Sequence, residues 1–150
     1  MPLLREQDRR ALSELFATQL QAPVDVDLFT QQASVLGAPA QPCETCRDTE
    51  ELLREVVGLS DRIRLRVRDF AAEAEEARAQ GIDRIPALVI RGQNKGHLRY
   101  FGVPSGYEFS VLVEALVDAS RGTTRLLPRS QEQVGRLATP AHIKVLVTPT

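Results

Sequence analysis

The sequence predicts an α/β fold in which a central mixed sheet of four strands carries helices on both faces. Two observations lead to this fold class. Apolar residues recur at helical spacing in some segments and at strand spacing in others, and glycine or proline separates the segments. The resulting order is α-β-α-β-α-β-β-α. Strand–helix–strand units imply parallel pairing, and a final hairpin adds an antiparallel strand, so the sheet is mixed.

The helices are predicted from apolar stripes, and proline or glycine marks their ends. Pro23 stops the first helix. Pro42 and Cys43 open the second, which ends before Gly58, and Gly81 follows the third. The four predicted helices lie over residues 2–19, 42–57, 69–80 and 107–120.

The strands are predicted from short apolar or alternating runs. Residues 63–68 alternate strictly between apolar side chains and arginine, which indicates an edge strand with one solvent-exposed face. Two later runs flank a glycine-containing turn and indicate a hairpin. The four predicted strands lie over residues 24–30, 63–68, 87–90 and 98–101.

Composition sets the broad class of protein. The chain has 150 residues, 43% of them hydrophobic and 26% charged, with a net charge of −1, which fits one globular domain. This balance predicts neither nucleic acid nor a membrane as a partner. The first ten residues lack the apolar centre of a signal peptide, and no apolar run approaches the ~20 residues of a membrane span. We therefore expect a cytoplasmic protein, in which a cysteine pair is typically catalytic or metal-binding.

The two cysteines of the chain, Cys43 and Cys46, are spaced as C-x-x-C. At the start of a helix, backbone N–H groups and the helix dipole would stabilise the Cys43 thiolate, which predicts Cys43 as the exposed nucleophile and Cys46 as the resolving thiol. The carboxylate of Glu44 opposes this by ~1 kcal/mol, and Arg47 partly offsets it. The same spacing also forms half of many zinc sites, so the motif alone leaves both interpretations open.

A second signal lies some forty residues later, where Pro86 enters the third strand after Ile85. A proline there cannot donate to the sheet, and its peptide bond with Ile85 is a candidate for the cis form. The backbone of Ile85 would then be available to pair with an extended substrate segment. The plainer interpretation is a trans proline at the start of a strand.

The combination resembles the thioredoxin and glutaredoxin superfamily. Residues 100–109, YFGVPSGYEF, are similar to the F-x-G-x-P-x-G-x-E-F segment of the glutaredoxin-like protein disulfide oxidoreductases, which fuse two thioredoxin-fold units. The resemblance covers about residues 12–120. It implies a thiol–disulfide oxidoreductase that needs no cofactor, acts on protein disulfides or dithiols, and draws on a thioredoxin-reductase-like electron donor.

Carried over to this chain, the resemblance implies roles for several residues. Cys43 would be the nucleophile, Cys46 the resolving thiol, and Ile85 and Pro86 the substrate-binding cis-proline segment. Asp27 resembles the buried acid that helps to deprotonate the resolving cysteine; the alternative is a solvent-facing carboxylate near a strand end. The chain departs from the family pattern in two places. The loop over residues 31–42 is unusually long, which raises the question of access to Cys43. The position before the C-x-x-C motif holds Pro42, where thioredoxin has tryptophan.

The chain divides into a domain over residues 1–122 and a remainder over residues 123–150. The remainder is interpreted as a linker, a short helix over residues 131–137 and a strand over residues 142–148. That strand resembles the one that leads into the C-P-Y-C motif of the family's second unit. We therefore expect a truncated form that holds the first unit; a natural form without the second unit is the alternative.

Two rival functions remain. The first is a thioredoxin-fold module with a stable Cys43–Cys46 bond that serves as a docking or structural unit for a second, catalytic unit. The second is a metal site, which would need ligands from another chain, because His97 and His142 are isolated in the sequence and are interpreted as surface residues. No phosphate-binding glycine loop and no serine with a plausible histidine base are present.

Overall fold

A computed structural model describes residues 3–32 and 42–147 of the chain. Its helices are α1 (Glu6–Gln19), α2 (Cys46–Val57), α3 (Ala74–Ala79), α4 (Tyr107–Arg121) and α5 (Pro128–Gly135). Its strands are β1 (Val24–Thr30), β2 (Ile63–Asp69), β3 (Ala87–Arg91) and β4 (Leu98–Phe101).

The four strands form one mixed sheet in the order β2-β1-β3-β4. β1 pairs in parallel with β2, from Val24 opposite Ile63 onwards, and antiparallel with β3, which in turn pairs antiparallel with β4. The predicted α/β class and the mixed sheet are confirmed. The alternating arginine strand, β2, lies at one edge, as its pattern predicts.

Apolar residues fill both faces of the sheet. Alternate residues of β1, including Val26 and Leu28, share one core cluster with Leu53 and Val56 of α2 and with residues of α1 and α4. The next residue along, Phe29, belongs to a smaller cluster on the opposite face, with Ala77 of α3. Because successive side chains of a strand point to opposite faces, β1 is buried on both sides and determines which helix covers which face.

Several helix ends differ from the predictions. α1 begins at Glu6 rather than at residue 2, and α2 begins at Cys46 rather than at residues 42–43. α3 spans only Ala74–Ala79 and not residues 69–80, because β2 continues to Asp69, whose carboxylate accepts the N–H groups of Ala71 and Ala72 and holds a turn. α5 lies at Pro128–Gly135, three residues before the predicted start, with its proline in the first turn.

The strand predicted over residues 142–148 is not formed. Residues 142–147 join no strand of the described sheet, and Thr148 lies outside the described residues. Their apolar side chains are exposed, with Leu146 at 97%. A strand needs a neighbour for its backbone N–H and C=O groups, and this segment has none within the described part of the chain. The division of the chain at residue 122 stays a prediction.

The segment between β4 and α4, which carries the most specific resemblance, is held by side-chain contacts. The hydroxyl of Tyr100 donates to the carboxylate of Glu108 in the first turn of α4 and lies 3.3 Å from the carbonyl oxygen of Val103. Gly106 precedes α4 with a φ of 59°, in the region that favours glycine. The tyrosine, glycine and glutamate of the motif therefore set how α4 leaves the sheet.

The hydroxyl of Ser120 ties the start of β1 to the end of α4. It accepts the N–H groups of Gln21 and Ala22 at 2.9 and 3.0 Å, and it donates to the carbonyl oxygen of Ala22 at 2.6 Å. Ser120 itself is buried. Three backbone groups on the connection between α1 and β1 thus depend on one side chain.

We expect Ser120→Ala to lower the free energy of unfolding by about 2 kcal/mol, because these part-buried backbone groups lose their partner. Urea denaturation measures the change. Ser110→Ala is the matched control: Ser110 is exposed and, among the described residues, bonds only to the carbonyl oxygen of Tyr107, so its loss should cost within about 0.5 kcal/mol. Equal effects at both positions would contradict this assignment.

Asp69 gives a pH-dependent contribution. The N–H groups of Ala72, Gln32 and Ala71 donate to its carboxylate at 2.8 to 3.0 Å and, led by that of Ala72, lower its pKa against the opposing effect of burial. A lowered folded pKa means that this stabilisation is present above the unfolded value of ~3.9 and is lost as the pH falls through the folded pKa.

Asp69→Asn leaves one acceptor oxygen in place of two, so we expect a loss of about 1 to 2 kcal/mol in the free energy of unfolding at pH 7. The difference from the wild type should narrow at about pH 3. Denaturation curves at both pH values test this. Asp61→Asn is the control, since Asp61 is exposed and has no hydrogen bond or ion pair with the described residues. If Asp69→Asn and the wild type still differ as much in the free energy of unfolding at about pH 3 as at pH 7, the assignment is contradicted.

Candidate redox site

Cys43 and Cys46 form a disulfide, with an S–S distance of 2.02 Å and a Cα–Cα distance of 5.5 Å. Cys46 is the first residue of α2 and is 2% exposed, since its helix packs on the sheet. Cys43 is only partly buried. The two sulfurs therefore differ in access: an incoming thiolate can approach the Cys43 side of the bond, whereas the Cys46 side faces the core.

The environment of Cys43 differs from the predicted one. α2 is preceded by Thr45 as its N-cap, so Cys43 lies before the helix rather than in its first turn, and the prediction that a helix begins at Cys43 is wrong. Residues 44 and 45 form a turn ahead of the helix. The backbone N–H of Cys43 donates to the side-chain oxygen of Gln31 at 2.7 Å.

The charges near the dithiol belong to exposed side chains. Arg47, which the sequence suggested as an offset to Glu44, lies in an ion pair with Glu51 at 2.9 Å. The hydrogen bond from Arg47 to Glu51 raises the pKa of the guanidinium. Its guanidinium therefore pairs with a carboxylate one turn further along the helix, and no ion pair joins Arg47 to Glu44 among the described residues.

The peptide bond between Ile85 and Pro86 is cis. The carbonyl oxygen of Pro86 accepts the N–H of Gly102 at 2.9 Å, whereas the backbone of Ile85 makes no hydrogen bond with another residue of the described ranges. Ile85 is half-buried and packs on the cluster that contains Phe29.

The register of the sheet brings this segment and the cysteines to one end. The last pair of the β1–β3 ladder is Phe29 opposite Ala87. Two residues beyond that pair lie Gln31, just after β1, and Ile85, just before β3, and the side chain of Gln31 accepts the backbone N–H of Cys43. Chain segments that are separated by about forty residues thus meet at the end of the two central strands.

Asp27 lies in the middle of β1 and is buried, so its interpretation as a solvent-facing residue is wrong. Its Oδ2 atom accepts hydrogen bonds from Arg91 at 3.0 Å and from the side-chain amide of Gln80 at 3.2 Å. The Nε atom of Arg68 lies 3.2 Å from the same oxygen without the alignment of a hydrogen bond, and a guanidinium nitrogen of Arg66 lies 3.9 Å from the other oxygen, Oδ1. The carboxylate is therefore buried among arginines.

The structure does not bring Asp27 together with Cys46. Asp27 lies between Val26 and Leu28, whose side chains face α2, so its own side chain points to the opposite face. There it meets Gln80 at the end of α3. The predicted role in deprotonating Cys46 is not supported, because the sheet separates the carboxylate from the helix that carries the thiol.

Arg68 links this network to a second acid. It donates to the carboxylate of Glu73 and lies 5.9 Å from the centre of the Phe29 ring. Burial alone lowers the pKa of Arg68, but the hydrogen bond to Glu73 and the charge of Asp27 outweigh it, so the pKa is raised. The guanidinium stays charged, and its ion pairs with Asp27 and Glu73 make the network a structural element of the sheet, although its Nε atom has no hydrogen-bond partner among the described residues.

The charged residues of this region lie in two separate groups. Asp27, Arg68 and Arg91 form a network on the α3 face, and the sheet separates them from α2. Glu44 and Arg47 lie on the outer side near the dithiol, where water screens them. A buried carboxylate in such a sheet is not by itself a proton acceptor for the resolving cysteine.

Sequence reasoning missed two features of this region. The first is Gln31, which the residue pattern assigned only to a loop; no local signal could reveal a contact made twelve residues away. The second is the hydroxyl of Thr30, which is buried at the end of β1 on the face that α2 covers and has no hydrogen-bond partner among the described residues. Residues 33–41, which hold most of the predicted long loop, lie outside the described residues.

Other predicted sites can be placed as well. His97 and His142 are exposed, as expected, and His142 lies 2.9 Å from the guanidinium of Arg99. Within residues 3–32 and 42–147, no group of three or more histidine, cysteine, aspartate or glutamate side chains is arranged to hold a metal ion. None of the described helices has the length and apolar character needed to cross a membrane.

Comparison with known proteins identifies the fold. No protein-family model and no curated protein sequence matches the chain. Among solved structures, the alkylhydroperoxide reductase AhpF from Enterococcus faecalis matches with a TM-score of 0.73 and 24% identity, over 91% of this chain and 61% of that one. A protein disulfide oxidoreductase from Aeropyrum pernix matches with a TM-score of 0.73 and 25% identity, over 89% of this chain and 55% of that one.

A third solved structure, the NTD_N/C domain of the Enterococcus faecalis reductase, matches with a TM-score of 0.69 and 22% identity, over 87% of this chain and 59% of that one. This chain therefore spans about three fifths of the length of the structures that it matches. The resemblance found in the sequence is confirmed in the fold: the chain is a thioredoxin-like unit, similar to proteins of greater length.

We expect Asp27→Asn to lower the free energy of unfolding by about 3 kcal/mol, because the partly buried Arg68 and Arg91 lose a buried charged partner. The pH dependence of alkylation of the reduced dithiol should not change, since the carboxylate lies on the far face of the sheet. Urea denaturation and mass spectrometry of alkylated protein measure the two quantities.

Asp25→Asn is the matched control in the same strand. Asp25 pairs with Arg64 at 2.8 Å, both are substantially exposed, and the loss should stay below about 1 kcal/mol. A clear shift in the pH dependence of alkylation in Asp27→Asn alone would restore Asp27 to the dithiol chemistry.

Proposed function

We propose that this chain is a thiol–disulfide oxidoreductase that acts on protein disulfides through Cys43 and Cys46. The observation that carries the proposal is the asymmetric disulfide, with Cys46 buried at the first residue of a helix and Cys43 partly exposed before it. Similarity to a protein disulfide oxidoreductase and to an alkylhydroperoxide reductase supports the same chemistry.

The exchange proceeds in two balanced steps. In the reduced protein the Cys43 thiolate attacks one sulfur of a substrate disulfide; the substrate bond breaks, a mixed disulfide forms, and the departing thiolate takes up a proton. Cys46 then loses its proton and attacks the Cys43 sulfur, which closes the Cys43–Cys46 bond and releases the second substrate thiol. Two electrons pass from the protein to the substrate, and the reverse sequence oxidises a substrate dithiol.

Ile85 and Pro86 are proposed as the substrate-binding segment. The Ile85 backbone has no partner among the described residues, and it lies at the end of the sheet where Gln31 holds Cys43. An extended substrate could therefore pair with the Ile85 N–H and C=O groups, as in strand addition. Such pairing recognises backbone rather than sequence, which suits a broad range of protein substrates.

The partner and location follow from the same proposal. Similarity to the alkylhydroperoxide reductase AhpF favours a reductase-like redox partner that re-reduces Cys43–Cys46. The proposal also includes a glutaredoxin-like type for this unit and a cytoplasmic location. The alternative function is a docking or structural module with a stable disulfide. It is favoured by the carboxylate of Glu44 beside Cys43, since Arg47 pairs with Glu51 and not with Glu44.

Replacement of the resolving cysteine tests the mechanism. In Cys46→Ser the mixed disulfide at Cys43 cannot be resolved, so incubation with a protein disulfide should accumulate a covalent adduct that mass spectrometry detects and dithiothreitol releases. Cys43→Ser is the matched control and should form far less adduct, because Cys46 is buried.

A Cys46→Ser protein that is alkylated at Cys43 but never yields an adduct would contradict catalytic exchange and support the docking module. Equal adduct in both variants would contradict the assignment of Cys43 as the nucleophile. The reduction potential of the wild-type dithiol separates the two functions further, since a structural disulfide has a potential below about −300 mV.

A further inference from the structure

We infer that Gln31 is a positioning residue for the dithiol: its side-chain oxygen holds the backbone of Cys43 and thereby restricts the reduced form to geometries that favour closure of the Cys43–Cys46 bond. The inference deepens the proposed function and rests on it, since closure is the second step of the exchange. The observation that carries it is the 2.7 Å hydrogen bond from the Cys43 N–H to the Gln31 oxygen.

The position of Gln31 makes this contact informative. Gln31 follows directly after β1, the central strand, and Phe29 two residues before it is fully buried and paired on both sides. The backbone N–H of the next residue, Gln32, donates to Asp69 at 3.0 Å. Gln31 therefore projects from a fixed part of the sheet, whereas Cys43 lies outside any helix or strand.

In the oxidised protein the disulfide itself holds Cys43 against Cys46. In the reduced protein that covalent link is gone, and Cys46 stays fixed as the buried first residue of α2. Cys43 precedes the helix, so its freedom depends on its remaining contacts. A hydrogen bond that keeps the Cys43 backbone in place reduces the conformational entropy lost on closure and so raises the effective concentration of one sulfur at the other.

The same contact aligns Cys43 with the proposed substrate segment. Gln31 and Ile85 lie on adjacent chain segments, two residues beyond the last pair of the β1–β3 ladder. Because Gln31 holds Cys43, Cys43 is kept at the end of the central strands, where a substrate strand would pair with Ile85. Both steps of the exchange, attack on the substrate and closure, would use the same restraint.

The test measures the equilibrium between glutathione and the Cys43–Cys46 pair. Two thiols of the protein become one disulfide as one oxidised glutathione becomes two reduced molecules, so the constant reports closure directly. Gln31→Ala should lower this constant about two- to tenfold, since one hydrogen bond is lost from the restraint. A tenfold change corresponds to a reduction potential about 30 mV more positive.

Two further variants make the result specific. Gln31→Glu keeps an acceptor oxygen at the same distance along the side chain, and its added negative charge disfavours the thiolate, so the constant should stay at or above the wild-type value. Gln32→Ala is the matched control, because the exposed Gln32 uses only its backbone N–H in hydrogen bonds with the described residues, and it should leave the constant unchanged. Amide hydrogen exchange at Cys43, followed by NMR, should accelerate in Gln31→Ala alone.

The outcomes are decisive in each direction. A wild-type constant in Gln31→Ala, an equal fall in Gln32→Ala, or an equal fall in Gln31→Glu would overturn the positioning role. If the adduct trap with Cys46→Ser fails while the glutathione constant still falls in Gln31→Ala alone, the proposed function fails and the role of Gln31 in closure stands. If the trap succeeds and the constant does not change in Gln31→Ala, the proposed function stands and the role of Gln31 in closure fails.

Discussion

The structure depends on the pairing of β1 with strands on both of its sides. β1 is parallel to β2 and antiparallel to β3, and six of its seven residues are buried. Such a strand cannot shift its register by one residue without moving its apolar side chains to the wrong face. It therefore fixes two things at once: α2 packs on the face of Val26 and Leu28, and α3 lies on the face of Asp27 and Phe29.

The end of β1 is also where the dithiol is assembled. Three chain segments contribute: the residues after β1, the turn before α2 and the segment before β3. They meet because a parallel strand–helix–strand unit returns the start of its helix to the end of its first strand, and because the antiparallel β3 starts where β1 ends. The buried side of the disulfide then follows from α2 packing on the sheet, and the accessible side from Cys43 lying ahead of the helix.

Much of the fold was predictable from the sequence, and the failures lie at the starts of helices and in the strand predicted near the end of the chain. The boundaries of β1 and β4 agree with the structure, because their apolar patterns end at proline, glycine or polar residues. The helix starts at residues 2, 42 and 69 were predicted too early. In the third case β2 continues to Asp69, whose carboxylate accepts the N–H groups of Ala71 and Ala72 and holds a turn between the strand and α3. The strand after residue 141 failed because a pattern cannot supply the neighbouring strand that it needs.

The candidate redox site, like the fold, was predictable from the sequence only in part. The amino-acid sequence alone determined which residues carry the chemistry: a cysteine pair at C-x-x-C spacing and a proline at the start of β3. Only the tertiary structure decided that Gln31 holds Cys43 and that Asp27 faces away from Cys46. The physical reason is that residue type and spacing set reactivity and local geometry, whereas the face of a strand and a contact across twelve residues depend on how the sheet is packed.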